Sequence, residues 1–165
     1  MEFNNSMPNP IVPLANCGGL MEYSYSTWLR GDHYIWRYLR PSWLSSKNPS
    51  FYFSLRDNPP EPFVSFFHST ESDENQQIKK VIICIKERLS ISSKSGLLKL
   101  DMQSACDSLN DDGDVVSFTD EDYPHIGLVY EPEKIEDLAE FYSILLMCSS
   151  VYQRTKSGDY ALESS

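Results

Sequence analysis

Glycine is scarce in this chain, seven residues in 165, and no phosphate-cradling loop can be built from them. The patterns G-x-x-x-x-G-K, G-x-S-x-G and H-E-x-x-H are all missing. Cysteine is sparse as well. Cys17, Cys84, Cys106 and Cys148 form no C-x-x-C, and no histidine stands at a zinc-ligand interval from them. They read as free, mostly buried thiols in a reducing compartment. Long apolar runs are lacking too: residues 81–85 and 141–147 fall far short of the ~20 residues of a membrane span. No basic-then-apolar leader opens the chain, so the expectation is a soluble intracellular protein of cytoplasm or nucleus. Positive charge is the last shortage. Fourteen Lys and Arg face 24 Asp and Glu, a net charge of −10 and a pI near 4.6. Such a balance disfavours non-specific attraction to nucleic acid or anionic membrane.

These absences argue against catalysis. A hydrolase needs a nucleophile and a base converging in space, and the histidines are only His33, His68 and His125. In His68-Ser69-Thr70 the neighbours on a strand point to opposite faces. Residues 110–114 look superficially like a calcium loop, with Gly113 at the turn. That register needs an acid at Ser108 and a bidentate glutamate at Thr119, and has neither. No enzyme activity, no metal and no cofactor is expected.

What is present is a hydrophobic fraction of 41% with 13% aromatics, enough for one packed domain. Residues 1–21, rich in Pro and Asn, read as a flexible arm, residues 22–153 as a single domain and residues 154–165 as a flexible tail. Alternation and β-branched runs predict strands over 26–38, 51–55, 63–68, 81–85, 89–93, 97–102, 115–118 and 126–130. Residues 69–77 read as a loop. From Pro132 onward, Ile135, Leu138, Tyr142, Leu145 and Ser149 recur at helical spacing, which predicts one long helix over 132–153.

The order of elements, with residues 126–138 carrying a last strand directly into an amphipathic helix, resembles the pleckstrin-homology-like superfold. The resemblance spans residues 25–152 and carries no diagnostic motif. It implies an α+β fold, an antiparallel, strongly bent β-barrel or sandwich of about seven strands capped by one long C-terminal helix. Members often carry a tryptophan in that helix, where this chain has Phe141 and Tyr142. The superfold hosts lipid binders, peptide readers and plain assembly modules, so fold alone does not choose among them.

Two surfaces are candidates for partner binding. In residues 28–43, Trp28, Tyr34, Trp36, Tyr38 and Trp43 interleave with Arg30, Arg37 and Arg40, the residue types that dominate binding hot spots. Residues 22–56 hold five basic residues against two acidic ones, a local excess of three positive charges. The alternative is that these aromatics are core, with arginines reaching out to solvent. On the closing helix, Phe141, Ile144, Met147, Cys148 and Val151 widen the apolar arc beyond one stripe, which suits either a second chain or a wider core. Residues 107–140 hold twelve acids and only Lys134, a solubilising face that also steers a basic partner. Residues 69–74 and 117–120 match acid-directed kinase sites, a pattern that recurs by chance.

The expected function is a non-catalytic protein-interaction adapter or assembly subunit with protein partners, a second copy of the chain included. A phosphoinositide reader is disfavoured, because the loop region 40–50 offers only Arg40 and Lys47. Single-stranded DNA or RNA stacking on residues 28–43 is a minor alternative.

Overall fold

A computed structural model describes residues 33–57 and 59–163. Its frame is one seven-stranded, wholly antiparallel sheet. The strands are β1 (Tyr34–Leu39), β2 (Val64–Phe67), β3 (Gly96–Asp101), β4 (Ser117–Asp120), β5 (His125–Val129), β6 (Ser149–Arg154) and β7 (Tyr160–Leu162). They lie in the order β4-β5-β2-β1-β3-β6-β7. Helices α1 (Pro41–Ser46) and α2 (Pro49–Phe53) follow β1, α3 (Glu74–Lys86) follows β2, α4 (Met102–Leu109) follows β3, and α5 (Leu138–Met147) precedes β6.

The pleat of β1 sorts its side chains onto two faces. Ile35 and Leu39 enter one apolar cluster and Trp36 enters the other. The larger cluster packs α2, α4 and α5 on the sheet through Tyr52 and Phe53, Met102 and Ala105, and Phe141, Tyr142 and Leu145. The smaller packs Ile78, Val81 and Ile85 of α3 against Trp36, Phe67, Leu97 and Tyr152. Covered on both faces, the sheet stays open, with β4 and β7 at its edges, and does not close into a barrel.

The α+β class and the antiparallel sheet are as expected, but several elements differ. Residues 81–85 lie inside α3, not in a central strand. Asp73 caps that helix by accepting from the Gln76 N–H at 3.0 Å, and burial of Ile78, Val81 and Ile85 with Ile83 exposed is a period of 3.6, not two. Residues 51–55 are not a strand either: Asn48 caps α2 through the Ser50 N–H, Pro49 opens it, and the adjacent Tyr52 and Phe53 are both buried. Residues 89–93 form no strand.

The closing helix is shorter than residues 132–153. A single 3₁₀ turn occupies Pro132–Lys134, and α5 begins only after Asp137, whose side chain accepts from the Glu140 N–H. It stops at Cys148 because residues 149–153 pair with β3 along its length, Leu97 opposite Tyr152 and Leu98 opposite Val151. The chain then turns through Gly158, at φ 95°, into β7. The helix is therefore followed by two strands and does not end the fold.

The expectation of four free thiols is also corrected. Cys106 is disulfide-bonded, and Cys84 and Cys148 are free. A disulfide is unusual in a reducing compartment, so the cysteines give no support to an intracellular location.

Candidate binding cleft

β1 and β2 are neighbours that scarcely pair. Their only register partner is Trp36 with Phe67, although β1 pairs with β3 over six residues and β2 with β5 over four. Beyond that point the two strands part, which leaves residues 37–39 and 64–66 unpaired across a gap. Arg37 bridges it. Its Nε donates to the Tyr52 carbonyl at 2.8 Å and its Nη1 to the Ser65 carbonyl at 3.0 Å. A side chain thus does for Ser65 what a ladder hydrogen bond does elsewhere in the sheet.

The gap opens into a cleft of about 430 Å³. Arg37, Arg40, Arg56 and Arg88 line it with Trp43, Phe51, Leu55, Leu89, Ser65 and His125, and its one acidic residue is Glu61. Four guanidinium groups in one cavity stand out in a chain of net charge −10. On one wall, Trp43 carries the guanidinium carbon of Arg37 5.1 Å from its ring centroid and that of Arg40 at 5.4 Å. On the other, His125 stacks on Phe67 with centroids 5.2 Å apart, and Arg88 lies 6.0 Å from the same Phe67 ring.

The local chain explains these placements. Pro41 starts α1 directly after β1, which folds Trp43 back over Arg37. Arg88 sits just beyond the C-terminal end of α3, where a cation meets the negative pole of the helix. Arg56 is held by Glu61 at 2.6 Å. Arg37, Arg40 and Arg88 form no ion pair among the described residues.

Burial pulls the Arg37 pKa down to about 10, with nearby Glu61 raising it and Arg40 lowering it further. A guanidinium remains charged at that value, so the cleft floor holds a half-buried cation whose direct partners are carbonyl dipoles, with Glu61 near it but not ion-paired to it. Burial and the positive field of Arg88 also lower the His125 pKa, which favours the neutral ring. The His125 Nε2 lies 2.8 Å from the Ser65 hydroxyl.

Of the residues singled out in the sequence, Arg37, Arg40 and Trp43 come together in this cleft. Trp36 does not. It is fully buried on the opposite face of the sheet, where its indole N–H donates to Gln77 Oε1 at 3.0 Å, so it belongs to the core. Trp28 and Arg30 lie outside the described residues. Phe141 is also core, 3% exposed and 4.7 Å from the Tyr130 ring. Ile144 and Cys148 are half-buried and line a separate cavity with Tyr34, Lys99 and Met147. Arg56, Arg88, Phe51 and His125 were missed, because four short segments far apart in sequence supply them.

No family model, no curated protein and no solved structure matches this chain.

Proposed function

We propose that the chain is a non-catalytic protein-interaction module and that the cleft between β1 and β2 takes an acidic segment of its partner. The observation that carries this reading is Arg37, a half-buried residue whose guanidinium spends two donors on backbone carbonyls and forms no ion pair among the described residues. Three further arginines and the faces of Trp43 and Phe51 line the same cavity, the residue mix of an interaction hot spot. The four arginines are confined to one cavity, which suits a short acidic segment, whereas an extended polyanion such as nucleic acid or an anionic membrane would also meet the acidic remainder of a chain of net charge −10.

The test is affinity purification from the native source, identification of what co-purifies, and reassembly of the pair from purified components. The double variant Arg40→Glu/Arg88→Glu is expected to lose the partner while its circular dichroism stays that of the wild type. Retention of the partner by a folded double variant would refute the reading. A partner that is a nucleic acid or a vesicle would replace it with one of the alternatives.

A further inference from the structure

We infer that the base of this cleft is a seat for one phosphomonoester group carried by the partner's segment, with Arg37 and Arg40 on one side of it and Arg88 on the other. The inference rests on reading the cleft as the partner site, and adds the chemistry of the group that occupies it.

Charge is the first argument. Glu61 is ion-paired with Arg56 and is the one carboxylate of the cavity, so Arg37, Arg40 and Arg88 exceed the negative charge available to them there. One carboxylate, with a single negative charge and two oxygens, leaves most of that field uncompensated. A phosphomonoester brings about −1.5 to −2 charges and three acceptor oxygens.

Geometry is the second. A single guanidinium matches a carboxylate through two parallel N–H bonds. Arg37 has already given Nε and one Nη1 hydrogen to Tyr52 and Ser65, so the edge that pairs Nε–H with Nη2–H can no longer meet a carboxylate through both of its bonds. What remains to it is Nη2 and one Nη1 hydrogen, and the other cations stand on separate supports. Arg40 shares the Trp43 face with Arg37, whereas Arg88 lies beside Phe67 and His125. An anion that meets both walls must offer oxygens in more than one direction, as a tetrahedral phosphoryl group does.

Preorganisation is the third. Two hydrogen bonds and the Trp43 ring hold Arg37 in place before any ligand arrives, so little side-chain freedom is lost on binding. The volume of about 430 Å³ exceeds what one phosphoryl group fills and leaves room for the side chain that carries it, against Phe51, Leu55 and Leu89.

The experiment is isothermal titration of the full chain with inorganic phosphate and methyl phosphate, and with acetate as the carboxylate comparator. Both phosphates are expected to bind with Kd below about 1 mM, and acetate at least about tenfold more weakly. Arg40→Ala and Arg88→Ala, both at exposed positions, are each expected to weaken phosphate about tenfold, the loss of one charge-assisted hydrogen bond. No phosphate binding, acetate binding as tightly, or arginine variants that bind like the wild type would each overturn the seat. Capture on phosphatidylinositol-phosphate vesicles, competed by phosphate, would overturn the protein as the source of the group.

Failure here is separable from failure of the cleft reading. A reassembled pair that survives phosphatase treatment of the partner, yet breaks with Arg40→Glu/Arg88→Glu, removes the phosphate seat and keeps the cleft. A pair indifferent to the double variant removes the cleft itself.

Discussion

The Arg37 guanidinium donates to the Ser65 carbonyl at 3.0 Å between two strands, β1 and β2, whose one register pair is Trp36 with Phe67. That contact holds β1 and β2 at the separation which makes the cleft.

Arg37 therefore has a structural part besides any part in binding. Arg37→Met strands the half-buried Tyr52 and Ser65 carbonyls, and a loss of about 1–3 kcal/mol is expected in urea unfolding. Arg37→Lys keeps a charge and the donors of a single ammonium nitrogen and is expected to lose less. A Met variant as stable as the wild type would mean that water serves those carbonyls equally well.

Gly96 opens β3 opposite Leu39 and Gln153. A Cβ there would lie 2.6 Å from the Tyr152 carbonyl oxygen and 2.9 Å from a Leu44 methyl. The first of these is backbone inside a ladder and cannot step aside. Gly96→Ala is expected to destabilise by about 1–3 kcal/mol, read as a lowered thermal midpoint.

His125 makes stability depend on pH with a definite sign. Burial and Arg88 lower its pKa below the ordinary 6.5, so the folded state favours the neutral ring. Above about pH 6.5 the imidazole is neutral in both folded and unfolded chains, and stability is undiminished. As pH falls below 6.5 the unfolded chain takes up the proton first, and this contribution is lost progressively toward the folded pKa. Urea midpoints measured from pH 7.5 to 5 are expected to fall, and His125→Gln is expected to flatten the part of the slope due to this residue.

Much of this was legible in the sequence, and the failures have physical causes. The strands β2, β3 and β5 show as short apolar runs because each buries both of its faces or nearly so. Residues 81–85 misled because β-branched residues favour strands only as a weak prior. The Asp73 cap and the spacing of Ile78, Val81 and Ile85 were the stronger signals. The cleft was half visible. Arg37, Arg40 and Trp43 lie within one short segment, but Arg88 and His125 reach it only through the sheet order, which puts β2 between β1 and β5. Trp36 and Arg37 looked alike in the sequence. A pleat places adjacent residues on opposite faces, which made one of them core and the other the floor of the cleft.

The closing helix supplies a contrast between core and flank. Leu145 is fully buried and Met147 is 83% exposed. Leu145→Ala is expected to cost about 2–5 kcal/mol, and Met147→Ala to stay within roughly 0.5 kcal/mol of the wild type. Should Ile144→Glu leave the thermal midpoint unchanged but abolish partner binding, the partner site would lie on this helix and not in the arginine cleft.

The most direct measurement is the dissociation constant of the reassembled pair for three folded proteins: the wild type, Arg40→Glu/Arg88→Glu, and a charge-matched control, Lys79→Glu/Lys156→Glu, at exposed positions outside the cleft. If the cleft holds the partner, the cleft variant binds at least about a hundredfold more weakly, as expected for two lost charge-assisted contacts turned repulsive. The control, with the same change in net charge, stays within about threefold of the wild type. Equal weakening of the two variants would mean that only overall charge matters, and an unchanged constant for the cleft variant would contradict the account outright.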